Sequence, residues 1–301
     1  MSSVESLYGG GSHPFRGQTP FERSRITTGA AGGKPPTANH EGSFILVICQ
    51  RIGFYSGLAS VKCDSGPFLM RAAIVVAAGN SQRMGFDKLI ADLGGRPLII
   101  RTLERFENCP EVDEVILVAN EERIKQFSNL AGEYGLGKVA AVVTGGPDRH
   151  LSVWKGLGAL SEGVELVAVH DGARPLVSSS TISKAMLLAT KCGAIALATP
   201  VVETLKKVDS DGLVVGSVDR SGLWTMQTPQ IFRREWLVAA YELVLARGAR
   251  VTDETSAAEM AGFPVRLMQS GDWNVKVTYP GDLELARSLF SLETSKVASG
   301  T

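Results

Sequence analysis

Arg83 and Lys88 lie shortly beyond an apolar run, Ala72-Ala73-Ile74-Val75-Val76-Ala77-Ala78, with Gly79, Asn80 and Ser81 at its end. Small residues after a buried strand let backbone amides close on an anion, and two cations beside them neutralise a polyphosphate. The pattern points to a nucleotide-phosphate site at the carboxyl end of the first core strand. Neither of the two commonest phosphate motifs fits. A P-loop needs a lysine directly after its second glycine, and Phe86 follows Gly85 here. The dinucleotide fingerprint needs a glycine where Ser81 stands. Taken alone, the segment also reads as an ordinary strand-to-helix turn with solvated cations.

Other positions add chemistry. Asp171, in His170-Asp171-Gly172-Ala173-Arg174-Pro175, follows a second apolar run. A carboxylate there suits Mg²⁺, which often takes only one or two carboxylates and completes its shell with phosphates and water. Arg174 suits a phosphate through paired hydrogen bonds; the plainer reading is an Asp171–Arg174 pair closing the loop. His170 reads as a packed, hydrogen-bonded histidine. Gly145 and Gly146 precede a helix and allow a flat ligand such as a nucleobase to approach the backbone. Lys276, between Val275 and Val277, suits either an edge lysine or a second phosphate. Thr252-Asp253-Glu254 reads as a helix start with Thr252 as its N-cap.

These side chains need a scaffold, and the patterning supplies one. Strands are expected at residues 72–78, 114–119, 139–144, 166–170, 194–199 and 264–268. Helices are expected at 97–106, 121–134 and 149–160, the first opening on Pro97. Leu98, Thr102 and Phe106 share one face, as do Val153, Trp154, Leu157 and Leu160 at helical spacing. Alternating strands and helices imply a mainly parallel sheet covered on both faces. Residues 204–208 and 213–218 flank Asp209-Ser210-Asp211-Gly212 and read as a hairpin. It is too apolar for a free arm and is expected to pack against a second copy of the chain, or else on its own domain.

The chain has 301 residues and a formal net charge of zero, which gives no basis for bulk attraction to nucleic acid or an acidic membrane. No apolar run is long enough to span a bilayer. Cys49, Cys63, Cys109 and Cys192 have neither disulfide-framework nor metal spacing and suit a reducing compartment. Residues 1–69 are rich in Gly, Ser, Thr and Pro at their start and read as a disordered or non-native extension. Phe44 to Cys49 is the one strand candidate within it. Basic residues such as Arg16, Arg23 and Arg25 also suit a transit peptide, and Met70 suits an alternative start of translation. The folded domain is expected at 70–292, with a flexible tail at 293–301.

The ordered set of Ala-Ala-Gly-x-x-x-Arg-Met with Lys88, Gly-Gly-x-x-Arg-x-x-Ser-Val, His-Asp-x-Ala-Arg-Pro, Val-Asp-Arg-x-Gly-Leu-Trp with Thr-Pro-Gln, Thr-Asp-Glu, and Asn-x-Lys-Val-Thr resembles the 2-C-methyl-D-erythritol 4-phosphate cytidylyltransferase family over residues 70–290. The resemblance implies an α/β, Rossmann-like nucleotidyltransferase sheet, mainly parallel, with a protruding β-hairpin dimerisation arm at about 202–222. It implies transfer of CMP from CTP to methylerythritol phosphate in the non-mevalonate isoprenoid route, with Mg²⁺, in a cytoplasmic homodimer, or in a plastid if residues 1–69 are a transit peptide. Ala77, Ala78, Gly79, Asn80 and Ser81 would line the triphosphate, and Gly146 and Ser152 would meet the cytosine. Arg83, Lys88 and Lys276 would be catalytic, and Asp171 would hold the metal. Arg174, Thr204, Arg220, Thr252 and Lys276 would bind the sugar phosphate, Thr204 and Arg220 reaching across the dimer. Family members often carry Pro where Asp87 stands, and Asp or Ala where Pro147 stands. A cytidylyltransferase for ribitol 5-phosphate or another polyol phosphate is the nearest alternative. A non-catalytic nucleotide-binding protein is a further one. A glycosyltransferase fits less well, because its Asp-x-Asp would fall in the hairpin turn.

Overall fold

The computed structural model describes residues 69–79, 82–271 and 273–299. Residues 1–68, with the strand expected at 44–49, and the loop residues Asn80 and Ser81 lie outside the described residues.

Seven strands form one sheet in the order β3-β2-β1-β4-β8-β5-β9. They are β1 (Met70–Ala77), β2 (Glu114–Ala119), β3 (Val139–Thr144), β4 (Val164–Asp171), β5 (Ala194–Pro200), β8 (Trp224–Arg233) and β9 (Arg266–Gln269). All neighbouring pairs are parallel except those made by β8, which runs antiparallel between β4 and β5. The seven α-helices among the described residues are α1 (Leu98–Glu107), α2 (Ile124–Glu133), α3 (Arg149–Gly158), α4 (Ser179–Cys192), α5 (Arg234–Ala246), α6 (Glu254–Met260) and α7 (Pro280–Ser299). Among them no helix is long and apolar enough to cross a membrane.

Strand alternation sorts the core into two layers. Ala73, Val75 and Ala77 of β1 pack into the layer under α1, α2, α4 and α7, whereas Ala72 and Ile74 face the layer under α3, α5 and α6. Burial on both faces is why these strands read as continuous apolar runs. Leu98, Ile99, Thr102, Leu103 and Phe106 are the buried side of α1, and Thr102 Oγ1 donates to the carbonyl of Gly172, tying that helix to the loop after β4.

Four expectations change. The strand β8 was absent from the sequence reading, because Pro229 sits inside it and proline normally marks an edge or a break. Proline has no N–H to give the ladder, and pairing is interrupted at this point: the ladder to β5 shifts register between Ala196 and Ala198, and the pairing with β4 covers only residues 230–233. Residues 121–123 form a separate 3₁₀ turn before α2. The N-cap of α6 is Asp253, whose carboxylate accepts from Ser256 N at 3.0 Å, so Thr252 stands one residue outside the cap. The expected flexible tail from 293 is instead the continuation of α7, and Arg105 grips Glu293 through two hydrogen bonds of 2.7 Å.

The hairpin is present as β6 (Leu205–Val208) and β7 (Val214–Val218), which pair only with each other. Val208, Leu213, Val214 and Val215 are between 57% and 66% exposed, so apolar side chains at the tip and on both faces of the hairpin are uncovered within one chain.

Close packing of α3 on the sheet is what brings its first residues to the strand ends. A Cβ built on Gly156 would lie 2.6 Å from Ile74 Cγ2 and 3.1 Å from Val118 Cγ2. Gly156→Ala gains about 1 kcal/mol of helix propensity but overpacks a closed interface, which costs about 1–3 kcal/mol. The expected result is a lower urea midpoint at unchanged slope; a raised midpoint would show that the helix can lift without cost.

Candidate active site

The chain winds outward from β1 to β2 and β3, then crosses back to β4 on the other side of β1. A crevice opens at the carboxyl ends of the strands where the winding reverses, and ligands bind there in open α/β sheets. In the register of β1 and β4, Val76 stands opposite Asp171, so Ala78 and Gly79 emerge beside that carboxylate. A cavity of about 510 Å³ occupies this place, and Ala77, Ala78, Gly79, Arg83, Lys88, Gly146, Ser152, Asp171 and Lys276 all line it. Its far wall is the loop after β3, where a Cβ on Gly145 would come within 2.5 Å of Ala78 Cβ and 2.9 Å of Ser152 Oγ. Ser152 Oγ accepts from Gly146 N at 3.0 Å and donates to the carbonyl of Asp148 at 3.1 Å, so this buried hydroxyl shapes the glycine loop.

Asp171 is the electrostatic centre. Its Oδ1 accepts from Arg149 Nε at 3.1 Å, and its Oδ2 meets Lys276 Nζ at 2.8 Å and Arg174 Nε at 3.5 Å. Burial works against its charge, yet Arg149, then Lys276 and Arg174, hold the carboxyl well below the usual carboxylate range. Lys88 donates to the carbonyl of Val277 at 2.8 Å. Burial, then the neighbouring Lys276 and Arg83 charges, lower its pKa. Arg83 stands over the Tyr279 ring, 5.5 Å from its centroid, within cation–π range.

A neutral network fixes Asp171 from behind. Its backbone N–H donates to Thr228 Oγ1 at 3.1 Å, and that hydroxyl lies 3.0 Å from His170 Nδ1. His170 Nε2 meets the Arg174 carbonyl at 3.1 Å. A carbonyl only accepts, so Nε2 carries the proton and Nδ1 accepts from Thr228. Gln230 Oε1 accepts from both the amide and the hydroxyl of Thr255 at 3.0 Å, and its amide group donates to Asp253. The middle of β8 thus braces both β4 and the start of α6.

The structure gathers the phosphate-loop, base-loop and metal candidates at one cavity. It leaves Arg174, Thr204, Arg220 and Thr252 off the lining. Arg174 sits behind Asp171 and donates to the Asn274 carbonyl at 2.7 Å. Thr204 and Arg220 are exposed beside the hairpin, where Arg220 bonds the Val202 carbonyl. Among the described residues nothing lies within 4 Å of a Cβ built on Gly79, so its backbone is open to the cavity. Two residues received no role from the sequence: Arg149 and Glu254, joined by hydrogen bonds of 2.6 and 3.1 Å. A signal existed, since a cation in the first turn of a helix opposes the helix dipole and needs another reason to be there.

Asp171 suits a magnesium ion in one way. Among the described residues no cluster of three or more His, Cys, Asp or Glu side chains is placed to hold a metal. A single cavity-lining carboxylate fits an ion whose remaining ligands are nucleotide phosphates and water. Lys276 is the neighbour best able to yield its place, being 40% exposed where Arg149 and Arg174 are 25% and 11%.

Burial pushes His170 down to about 4 from 6.5, against the opposing bond to the Arg174 carbonyl. The folded chain keeps this ring neutral while the unfolded chain protonates it. Stability is therefore intact above about pH 6.5 and falls as pH drops toward 4, by roughly 3 kcal/mol in all. Urea unfolding at several pH values is expected to show this slope, and His170→Gln to flatten it; an equal slope in both would assign the effect to other groups.

Comparison with known proteins places this geometry. The sequence profile of the family described as 2-C-methyl-D-erythritol 4-phosphate cytidylyltransferase matches residues 71–291. The chain is 39% identical over 224 residues to the 2-C-methyl-D-erythritol 4-phosphate cytidylyltransferase of Symbiobacterium thermophilum, covering 74% of this chain and 93% of that protein. It is 45% identical over 220 residues to the bifunctional enzyme IspD/IspF of Desulforudis audaxviator, covering 72% of this chain but only 56% of that longer protein. Among solved structures, it is similar to the 4-diphosphocytidyl-2C-methyl-D-erythritol synthase of Anaerococcus prevotii, with a TM-score of 0.65, 31% identity, and coverage of 73% and 95%. The chain belongs to the 2-C-methyl-D-erythritol 4-phosphate cytidylyltransferase family.

Proposed function

We propose that this chain transfers CMP from CTP to 2-C-methyl-D-erythritol 4-phosphate, giving 4-diphosphocytidyl-2-C-methyl-D-erythritol and pyrophosphate. The observation that carries the reading is the convergence of Arg83, Lys88 and Lys276 on one cavity with Asp171, at the reversal of the sheet. A phosphate oxygen of the sugar attacks the α-phosphorus of CTP. The bond from that phosphorus to the bridging oxygen breaks, and pyrophosphate leaves with the electron pair.

The attacking phosphate is already ionised near neutral pH, so no general base is needed. The obstacle is repulsion: two unit charges about 4 Å apart repel by roughly 4 kcal/mol at an effective dielectric near 20. Catalysis then rests on position and charge neutralisation. The glycine loop at Gly145 and Gly146 receives the base by close backbone approach. Arg83 and Lys88 stabilise charge on the reacting phosphates and the departing pyrophosphate. Lys276 leaves Asp171 for the incoming sugar phosphate. Magnesium, bound through Asp171 and the nucleotide, would add charge stabilisation there. His170 stays neutral and structural.

Thr204, Arg220 and Thr252 are assigned to the sugar phosphate, Thr204 and Arg220 reaching it across the assembly. The exposed apolar side chains of the β6–β7 hairpin support a homodimer built on it, and Thr204 and Arg220 flank it. We place the enzyme in the cytoplasm. The isolated thiols Cys109 and Cys192 are free, which suits a reducing compartment.

Pyrophosphate release is expected with CTP and methylerythritol phosphate, well above the rates with UTP, ATP or ribitol 5-phosphate. Equal or faster release with ribitol 5-phosphate would move the assignment to a different polyol phosphate. Lys88→Ala and Arg83→Ala should each lose about 10²–10³ in rate while folding normally; near-normal turnover in both would refute the mechanism. Light scattering should give a dimer mass, and Leu213→Asp with Val215→Asp should halve it. A monomeric wild-type chain would reject the hairpin interface.

A further inference from the structure

The group with no assigned part in this chemistry is the buried ion pair of Arg149 and Glu254. Glu254 is fully buried and accepts from Arg149 Nη1 at 2.6 Å, Arg149 Nη2 at 3.1 Å and the Tyr241 hydroxyl at 3.0 Å. The third arm of the same guanidinium, Nε, donates to Asp171 at 3.1 Å. One side chain therefore joins the first residue of α3, the last of β4 and the first of α6. Those three ends follow or precede the base loop, the carboxylate and Thr252.

Helix stability does not account for Arg149. A cation in the first turn opposes the dipole, and the Asp148 N-cap carboxylate makes no cap bond, being held by Arg250 at 2.8 and 2.9 Å. Fold stability is a weak account of Glu254, because apolar residues of similar volume often replace a buried ion pair at no loss. What apolar residues cannot do is fix the direction of a neighbouring carboxylate.

We propose that Arg149 and Glu254 are positioning residues: Glu254 clamps the Arg149 fork so that its remaining N–H holds the Asp171 carboxylate turned into the cavity. The inference rests on the proposed use of Asp171 with magnesium and CTP. Arg149 also lines the cavity with its side chain 25% exposed, but its Nε, Nη1 and Nη2 are all engaged by Asp171 and Glu254, and Glu254 itself is out of reach of substrate.

Two variants of the full chain separate this from packing. Glu254→Gln keeps shape and leaves the Arg149 charge in place, while Arg149→Met with Glu254→Leu removes the pair and fills its volume. Thermal melting, calorimetric CTP affinity with and without magnesium, and pyrophosphate release are measured on each. The paired apolar variant takes from Asp171 one of its three cations and from the Tyr241 hydroxyl its acceptor, so it is expected to fold cooperatively but to melt below the wild-type temperature. In both variants the tightening of CTP binding by magnesium should shrink about tenfold or more, with metal-free CTP affinity held within about threefold. The kcat should fall about 10²-fold, more than KM changes. A stable variant of either kind that keeps the magnesium effect and kcat within threefold of wild type overturns the proposal. So does loss of folding in both variants, since the pair is then structural. Absence of pyrophosphate release from the wild-type chain with every acceptor would refute the proposed transfer instead, and the comparison of CTP binding would still decide this inference.

Discussion

One carboxylate almost out of reach of water, Asp171, governs the arrangement of this protein. An unpaired charge at that depth would take up a proton. Arg149, Arg174 and Lys276 prevent that, and each comes from a different part of the chain. Their own anchors differ. Arg149 is clamped by Glu254 and Arg174 by the Asn274 carbonyl, whereas Lys276 reaches Asp171 from a more exposed position. The result is a cavity that is net cationic without ligand, with Arg83, Lys88, Arg149 and Lys276 against Asp148 and Asp171, and whose most movable cation is already beside the place where phosphates would meet.

Positioning that carboxylate is the work of the sheet as much as of the charges. Strand β8 inserts antiparallel between β4 and β5 and carries Thr228 to the backbone of Asp171 and Gln230 to the start of α6. The Thr-Pro-Gln segment therefore braces two loops from one strand. From the helix layer, Thr102 of α1 holds the Gly172 carbonyl. With the end of β4 held by the neighbouring strand and the loop after it by a helix, Asp171 has little freedom of its own, which favours electrostatic preorganisation over adjustment during the reaction.

The outline of this fold was legible for a simple reason. Strands β2 and β3 and helix α1 fall at or within a residue of their expected ends because burial on two faces, or on one stripe, leaves a periodic trace in the sequence. Strand β8 left no such trace, since Pro229 mimics a break and tertiary pairing overrode it. The cap of α6 shifted from Thr252 to Asp253 because two adjacent residues can both cap, and the choice falls to the one whose oxygen reaches Ser256. Arg83, Lys88, Gly146, Asp171 and Lys276 were recognisable as a set by their motifs, and the cavity gathers them. Arg220 lies in one of those motifs but not at that cavity, and Thr204 also stands away from it.

By itself, the sequence determined the residue chemistry, the alternating elements and the family. These depend on near-neighbour sterics, hydrophobic period and the identity of small or charged residues at loop positions, all written locally. Tertiary structure alone decided which cations surround Asp171, that a strand would run backwards through the sheet, and that Glu254 would hold Arg149 from 105 residues away. Such contacts depend on how helices and loops pack over the sheet, and no local pattern encodes an angle between distant elements.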